Sequence, residues 1–152
     1  MLVDIGESVV LVALDGDRLL VVRQTRPGAP ERTLELPSGA VEPGETPQEC
    51  AARELAEECG LAASGYRELA SFRAAPSYST ELCHVLELDG PLRPVESRPD
   101  EDEDIEVEWI PLAEAYERLS DAGSLAALAL WERSTRAGRA RRPGRRGPRR
   151  DP

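Results

Sequence analysis

The sequence predicts an α/β layered domain. Three observations carry that prediction: β-branched runs at the start and in the middle of the chain, one fully capped helix between them, and helical periodicity near the end. At 152 residues the chain is about one domain long, and its 40% hydrophobic content suffices for a single core.

Residues 8–14 (SVVLVAL) and 18–23 (RLLVVR) are β-branched and leucine-rich, with Asp15-Gly16-Asp17 supplying turn residues between them. The pair is predicted to form a hairpin. A loop containing proline and glycine follows, then a short extended piece over 34–36 that stops at Pro37. Residues 66–73, 81–88 and 104–110 predict three further strands, with 74–80 and the acidic run around 100–104 as loops. Leu112, Ala115, Tyr116 and Leu119 recur at helical spacing, as do Leu125, Leu128 and Ala129, so two C-terminal helices are expected. The chain has no internal repeat.

Charge divides the chain. All 19 basic residues are arginine, and nine of them lie from Arg133 onward beside the single acid Asp151. That stretch is net +8 and the preceding body net −18. From Ala137 the sequence AGRARRPGRRGPRRDP has no apolar residue larger than alanine. It is expected to be a disordered tail, with the folded domain over 1–136. Its arginines suit phosphates, but no aromatic residue is there to stack on bases, so a solvated tail is expected and nucleic acid is not an expected partner. No apolar run reaches the roughly 18 residues of a membrane span, and the opening MLVDIGE is acidic where a secretory signal is basic. A soluble cytoplasmic protein without a membrane partner is expected. Cys50, Cys59 and Cys83 are odd in number and lack a CxxC pair, which suggests buried reduced thiols rather than a disulfide framework or a zinc site.

The capped helix is the most informative element. Thr46 suits the N-cap, Pro47 the first helical position and Glu49 the capping box; Gly60 suits the left-handed residue that ends the helix. The helix is therefore predicted over 47–59. At about 100° per residue, Ala51, Ala52, Leu55, Ala56 and Cys59 share one face, and Glu54, Glu57 and Glu58 the opposite one. Three carboxylates so placed repel one another by a few tenths of a kcal/mol per pair. Arg53, the helix's one basic residue, cannot neutralise all three. An acidic face can be merely solvated; clustered carboxylates also bind hard divalent cations, which then bridge to phosphates.

From Gly39 the pattern runs through five residues to Glu45, seven more to Arg53-Glu54-Leu55, then Glu57-Glu58 and Gly60-Leu61. This matches every defined position of the Nudix box, and the chain resembles the Nudix hydrolases. The resemblance implies an α/β/α sandwich with a mixed sheet and a catalytic loop-helix-loop. It also implies Mg²⁺ or Mn²⁺ and cleavage of a diphosphate joined to another moiety. Carried over by position, Ser38 (through its carbonyl), Glu54, Glu57 and Glu58 would be metal ligands or would orient them. Arg53 and Glu45 would form an ion pair, while Gly39 and Gly60 would serve the box structurally.

Beyond the box, VRQTRP at 22–27, ELPSG at 35–39, APSYSTE at 75–81 and EDEDIEVEWIPLAEA at 101–115 are similar to segments of the ADP-ribose pyrophosphatase group, in the same order. That likeness implies hydrolysis of ADP-ribose to AMP and ribose 5-phosphate, and a homodimer. Arg26, Glu35, Pro76 and Tyr78 would contact or shape the substrate site. A glutamate from the loop before the last strand would enter it, Glu101 as base and Glu103 as a further ligand, or the reverse. Catalytic candidates on this resemblance are Glu101, Glu103, Glu57 and Arg53, whereas His84 is given no role. Only 38 residues precede Gly39, fewer than in that group, so the adenine-binding half is expected to be built differently. Another nucleoside diphosphate derivative, an RNA 5′ pyrophosphohydrolase and a Nudix-like ligand-sensing regulator remain alternatives.

Overall fold

Residues 18–24 hold too many consecutive apolar side chains for a one-sided strand, and β3 (Arg18–Gln24) is buried on both faces. The same holds for the end of β1 (Glu7–Val12). A computed structural model describes residues 1–96 and 104–140. The order continues with β2 (Leu14–Asp15), β4 (Thr33–Glu35), β5 (Ser38–Ala40), α1 (Pro47–Cys59), β6 (Leu61–Ala62), β7 (Gly65–Arg73), β8 (Leu82–Asp89), β9 (Arg93–Pro94) and β10 (Ile105–Pro111). A 3₁₀ turn (Leu112–Glu114), α2 (Ala115–Arg118) and α3 (Ala122–Ala140) close the described chain.

One sheet has the order β5-β1-β8-β7 and is mixed, since β1 and β8 run parallel while the other pairs are antiparallel. A second has the order β10-β3-β2, with β4 also pairing with β3. Alternate side chains of β1 serve two cores. Val10 and Val12 join Leu19, Val21, Val85 and Leu128 beneath α3. Val9 and Leu11 join Leu20, Leu86, Ala51 and Leu55 beneath α1. Helices thus cover both faces, giving the expected α/β/α sandwich.

Two expectations need correction. The predicted hairpin is only partly right: Leu14 and Asp15 pair with Leu19 and Arg18 around the turn, but β1 ends at Val12 and belongs to the other sheet. A strand buried on both faces carries no alternation to mark its neighbours, so its pairing with β8, far along the chain, is invisible locally. The domain boundary set at residue 136 falls inside α3, which continues to Ala140. Leu125, Leu128 and Leu130 anchor that helix, and each added residue then needs only one more backbone bond to propagate it. Arg136 helps by pairing with Glu132 at 3.6 Å, one turn back. The rest of the expected tail, 141–152, lies outside the described residues, as do residues 97–103 with Glu101 and Glu103.

Candidate active site

Helix α1 forms over the predicted residues because every capping group is in place. The Thr46 hydroxyl accepts from the Glu49 amide at 3.2 Å, and the Glu49 carboxylate accepts from the Thr46 amide at 2.8 Å. At the far end Gly60 adopts φ 63° and donates its N–H to Ala56. Cys50, Ala51 and Leu55 dock the helix onto the sheet. The face assignment was imperfect: Ala52 and Ala56 are only half-buried, whereas Glu58 is 9% exposed. Buried that far, its carboxylate is held by the Ser38 amide, which donates to Oε2 at 3.2 Å.

Arg53 organises the remaining acids. Its Nε and Nη2 donate to the two oxygens of Glu45, each at 2.9 Å, while Nη1 donates to Glu54 at 2.7 Å and Glu57 at 3.1 Å. Nη2 also donates to the Ala40 carbonyl at 3.0 Å. Hydrogen bonds from this guanidinium, with further help from the Glu42 amide, hold the Glu45 carboxyl down at about 2. One arginine therefore fixes the loop, the helix and two of the three acidic side chains. Gly39 is required by close approach: a Cβ there would stand 2.0 Å from the Glu54 carboxylate.

A cleft of about 440 Å³ opens beside this assembly. Ser38, Gly39, Glu54 and Glu58 line it from β5 and α1; Gln24 at the end of β3, Arg26 just beyond it, and Asp121 and Gly123 around the start of α3 line it as well. Ser8 and Val10 of β1, Cys83 of β8 and Glu81 just before β8 also line it. Arg26 is set by a two-point ion pair with Glu35, at 3.0 and 2.7 Å. This hydrogen bonding raises the guanidinium above its ordinary value. Burial alone would raise Glu35, but Arg26 and Thr33 donate to it and the net result is a lowered carboxyl.

The structure sorts the predicted site residues. Ser38, Glu54, Glu58 and Arg26 meet at the cleft, with Glu35 behind Arg26 as its holder. Glu57, its side chain 40% exposed, and Arg53 are not among the lining residues. Pro76 and Tyr78, expected at the substrate site, are exposed and do not line it either. The loop that carries them turns outward, with the Tyr78 carbonyl bonded to the Val3 amide at 2.7 Å.

Sequence reasoning missed Ser8, Gln24, Glu81, Cys83 and Asp121, which single polar residues in strands and turns did not announce. Asp121 caps α3 by accepting from the Ser124 amide at 2.9 Å, while its Oδ1 is buried with no hydrogen-bond partner among the described residues. His84 bridges Glu68 at 2.8 Å and Glu7 at 3.0 Å, a charged cluster on neighbouring strands that local sequence does not reveal.

The donors present fit a hard divalent cation. Such an ion is commonly held by one or two carboxylates together with waters and substrate phosphates. Glu54, Glu58 and the Ser38 carbonyl offer that set, although no three acidic, histidine or cysteine side chains form a ready-made cage among the described residues. Thiol chemistry has no support: burial pushes Cys50 and Cys59 up to about 12, and burial raises Cys83.

An α/β/α sandwich with a glutamate-bearing helix packed beside a glycine loop defines a Nudix domain. A model of the NUDIX domain family matches residues 5–130, and the chain belongs to that family. It is similar to an ADP-ribose pyrophosphatase of Bacillus subtilis (strain 168), 34% identical over 112 residues covering 72% of this chain and 60% of that protein. An ADP-ribose pyrophosphatase of Mycobacterium tuberculosis is 39% identical over 117 residues, 74% of this chain and 56% of that one. The ADP compounds hydrolase NudE of Escherichia coli K12 is 33% identical over 116 residues, 76% of this chain and 61% of that one. This chain thus spans about three-fifths of the length of these relatives. A crystal structure of an ADP compounds hydrolase superposes with a TM-score of 0.78 at 28% identity, over 87% of this chain and 74% of that one. The solution structure of the E. coli ORF135 protein shares the fold, with a TM-score of 0.64 at 23% identity over 94% of this chain and 96% of that one.

Proposed function

We propose that this Nudix domain hydrolyses the diphosphate of a nucleoside diphosphate sugar, foremost ADP-ribose to AMP and ribose 5-phosphate, with Mg²⁺ or Mn²⁺. The observation that carries the reading is one cleft lined by Glu54, Glu58 and Ser38 together with Arg26. The relatives' names point to the same substrate class. A divalent cation held by Glu54, Glu58 and the Ser38 carbonyl would neutralise the diphosphate and stabilise charge on the leaving phosphate. Arg26, oriented by Glu35, binds a phosphate oxygen through its remaining N–H groups. Arg53 acts indirectly by fixing Glu54, and Glu57 by sharing Arg53.

A glutamate within residues 97–103 takes the proton of the attacking water as its oxygen bonds to phosphorus and the bridging P–O bond breaks. Glu101 is assigned this role and Glu103 that of a further ligand. This is supported by the sheet register, because Ile105 lies opposite Gln24 and Gln24 lines the cleft. A homodimer is supported by the exposed apolar strip of Leu2, Val3, Ile5 and Tyr78. Three free cysteines suit the reducing cytoplasm, and no described helix is long and apolar enough to cross a membrane.

The test is chromatography of products after incubation with Mg²⁺ and ADP-ribose, other nucleoside diphosphate sugars, a dinucleoside polyphosphate, NADH and triphosphorylated RNA. AMP and ribose 5-phosphate, formed from ADP-ribose faster than any other product, are expected. Preference for another substrate, or no turnover of ADP-ribose, would overturn the assignment.

A further inference from the structure

The strand that carries Ser38 lies at the edge of its sheet, and backbone groups that it turns outward are taken by side chains. Beside β1, the Leu11 amide donates to the Pro37 carbonyl at 2.8 Å and the Val41 amide to the Glu7 carbonyl at 2.9 Å, so the odd-numbered residues of this stretch face β1. The even-numbered ones face away from it. There the Leu36 amide donates to the Ser124 hydroxyl at 2.8 Å, the Ser38 amide donates to Glu58 at 3.2 Å, and the Ala40 carbonyl accepts from Arg53 at 3.0 Å. The Ser38 carbonyl belongs to the same outward row, between the amide held by Glu58 and the carbonyl held by Arg53.

Glu58 and Arg53 belong to α1, but Ser124 belongs to α3, the helix of the opposite layer. Ser124 and Leu36 are both buried, and the Ser124 amide is itself held by Asp121 at 2.9 Å. Leu125 and Leu128 pack the same end of α3 into the core. Pro37, next after Leu36, has a fixed φ and no N–H to seek another partner. The backbone is therefore pinned at three consecutive residues, by α3 at Leu36, β1 at Pro37 and α1 at Ser38, so a shift at Leu36 passes on to Ser38. Ser120 makes a similar bond, accepting from the Leu34 amide at 2.8 Å. Leu34, however, lies further from Ser38 along the chain and is tied to β3 opposite Arg23.

We propose that Ser124 is a positioning residue for the divalent cation: by holding the Leu36 amide it sets the Ser38 carbonyl beside Glu58, and α3 thereby governs how tightly the cation is bound. The inference rests on the proposed cation site. Removing the Ser124 hydroxyl leaves a buried N–H without an acceptor, and the Leu36 backbone has to move to find one. Partners that orient a metal ligand from behind commonly change metal affinity by about ten- to a hundredfold. The test is binding of Mn²⁺ alone to the metal-free full chain, read by water proton relaxation, with thermal melting of every variant. Ser124→Ala should weaken Mn²⁺ binding roughly tenfold, and Ser124→Thr, which keeps the hydroxyl, should bind close to wild type. Should the alanine variant not fold, Ser124→Cys offers a weaker acceptor in a similar volume and should weaken binding to a lesser degree. Ser120→Ala strips an acceptor from a backbone amide too; it should lower the melting temperature and leave Mn²⁺ binding as it was.

Wild-type affinity for Mn²⁺ in a folded Ser124→Ala or Ser124→Cys protein would overturn the inference. So would a threonine variant that binds no better than the alanine one. Equal weakening by Ser120→Ala would mark a general loosening of the fold rather than positioning, and would overturn it too. Glu58→Gln separates this inference from the site on which it rests. A wild type that holds no Mn²⁺, or a Glu58→Gln variant that holds it equally well, would sink the proposed cation site and the role of Ser124 with it. A site that depends on Glu58 and is indifferent to Ser124 would sink the inference alone.

Discussion

Replacing Gly39 with alanine separates folding from chemistry at this site. The added Cβ would lie 2.0 Å from both Cδ and Oε1 of Glu54 and 2.5 Å from its Cγ. Ordinary carbon contacts begin at about 3.5 Å, so the carboxylate has to retreat by about 1.5 Å. Glu54 is a flexible side chain and can swing away, and Gly39 has no positive φ that alanine would strain. The fold should survive at a cost of about 1 kcal/mol, chiefly the lost 2.7 Å bond to Arg53. Chemistry is less forgiving, since misplacement by about 1 Å can cost on the order of a hundredfold in rate. Thermal melting should therefore fall by only a few degrees, while kcat/KM for ADP-ribose drops about a hundredfold and the Mg²⁺ needed for half-maximal rate rises. A folded Gly39→Ala protein with wild-type rate and wild-type Mg²⁺ dependence would show that Glu54 at its present position is not part of the working site.

Glu58→Gln keeps the shape of a buried side chain and removes its charge; turnover should fall on the order of a hundredfold or more, with melting little changed, as steady-state kinetics and calorimetry can check. Glu45→Gln tests the ion pair. The Glu45 side chain is 14% exposed and its carboxyl is held from 4.5 down to about 2, which makes its bonds to Arg53 and the Glu42 amide together worth roughly 2–3 kcal/mol at pH 7. Because the folded value is depressed, that contribution is present above pH 4.5 and is lost as pH falls toward 2, so urea melts of variant and wild type should converge on acidification. For His84 burial alone would lower the imidazole, but hydrogen bonds to Glu68 and Glu7 outweigh it and the net value is raised. Its contribution is complete below about 6.5 and is lost as pH rises through the folded value, so the melting difference between wild type and His84→Gln should be larger at pH 6 than at pH 9. Ending the chain at Ala140 removes six arginines and should leave ADP-ribose turnover and melting unchanged; a large loss of rate would make the tail part of the site.

What the sequence alone determined is the loop-helix-loop, because its instructions are local. Thr46, Pro47, Glu49 and Gly60 fix where α1 begins and ends through bonds spanning three or four residues. The spacing of Glu45, Arg53, Glu54 and Glu57 likewise places the Arg53 network within one loop and one helix turn. The layered fold class was legible for a related reason, since strand and helix periods are properties of short windows. Tertiary structure decided what depends on distant partners. The assignment of β1 to a sheet with β8 arises from backbone pairing between segments about 75 residues apart, which leaves no trace in either segment. The same pairing brings Ser8 against Glu81 and Cys83, and the fastening of the α3 start to the β4–β5 connection brings Asp121 to the cleft. Glu58 was legible as an acid on a helix, but its burial follows only from the packing of that helix against Ser38. Short-range hydrogen bonds wrote the glutamate-bearing loop-helix-loop into the sequence, and long-range strand pairing placed the polar groups that surround it.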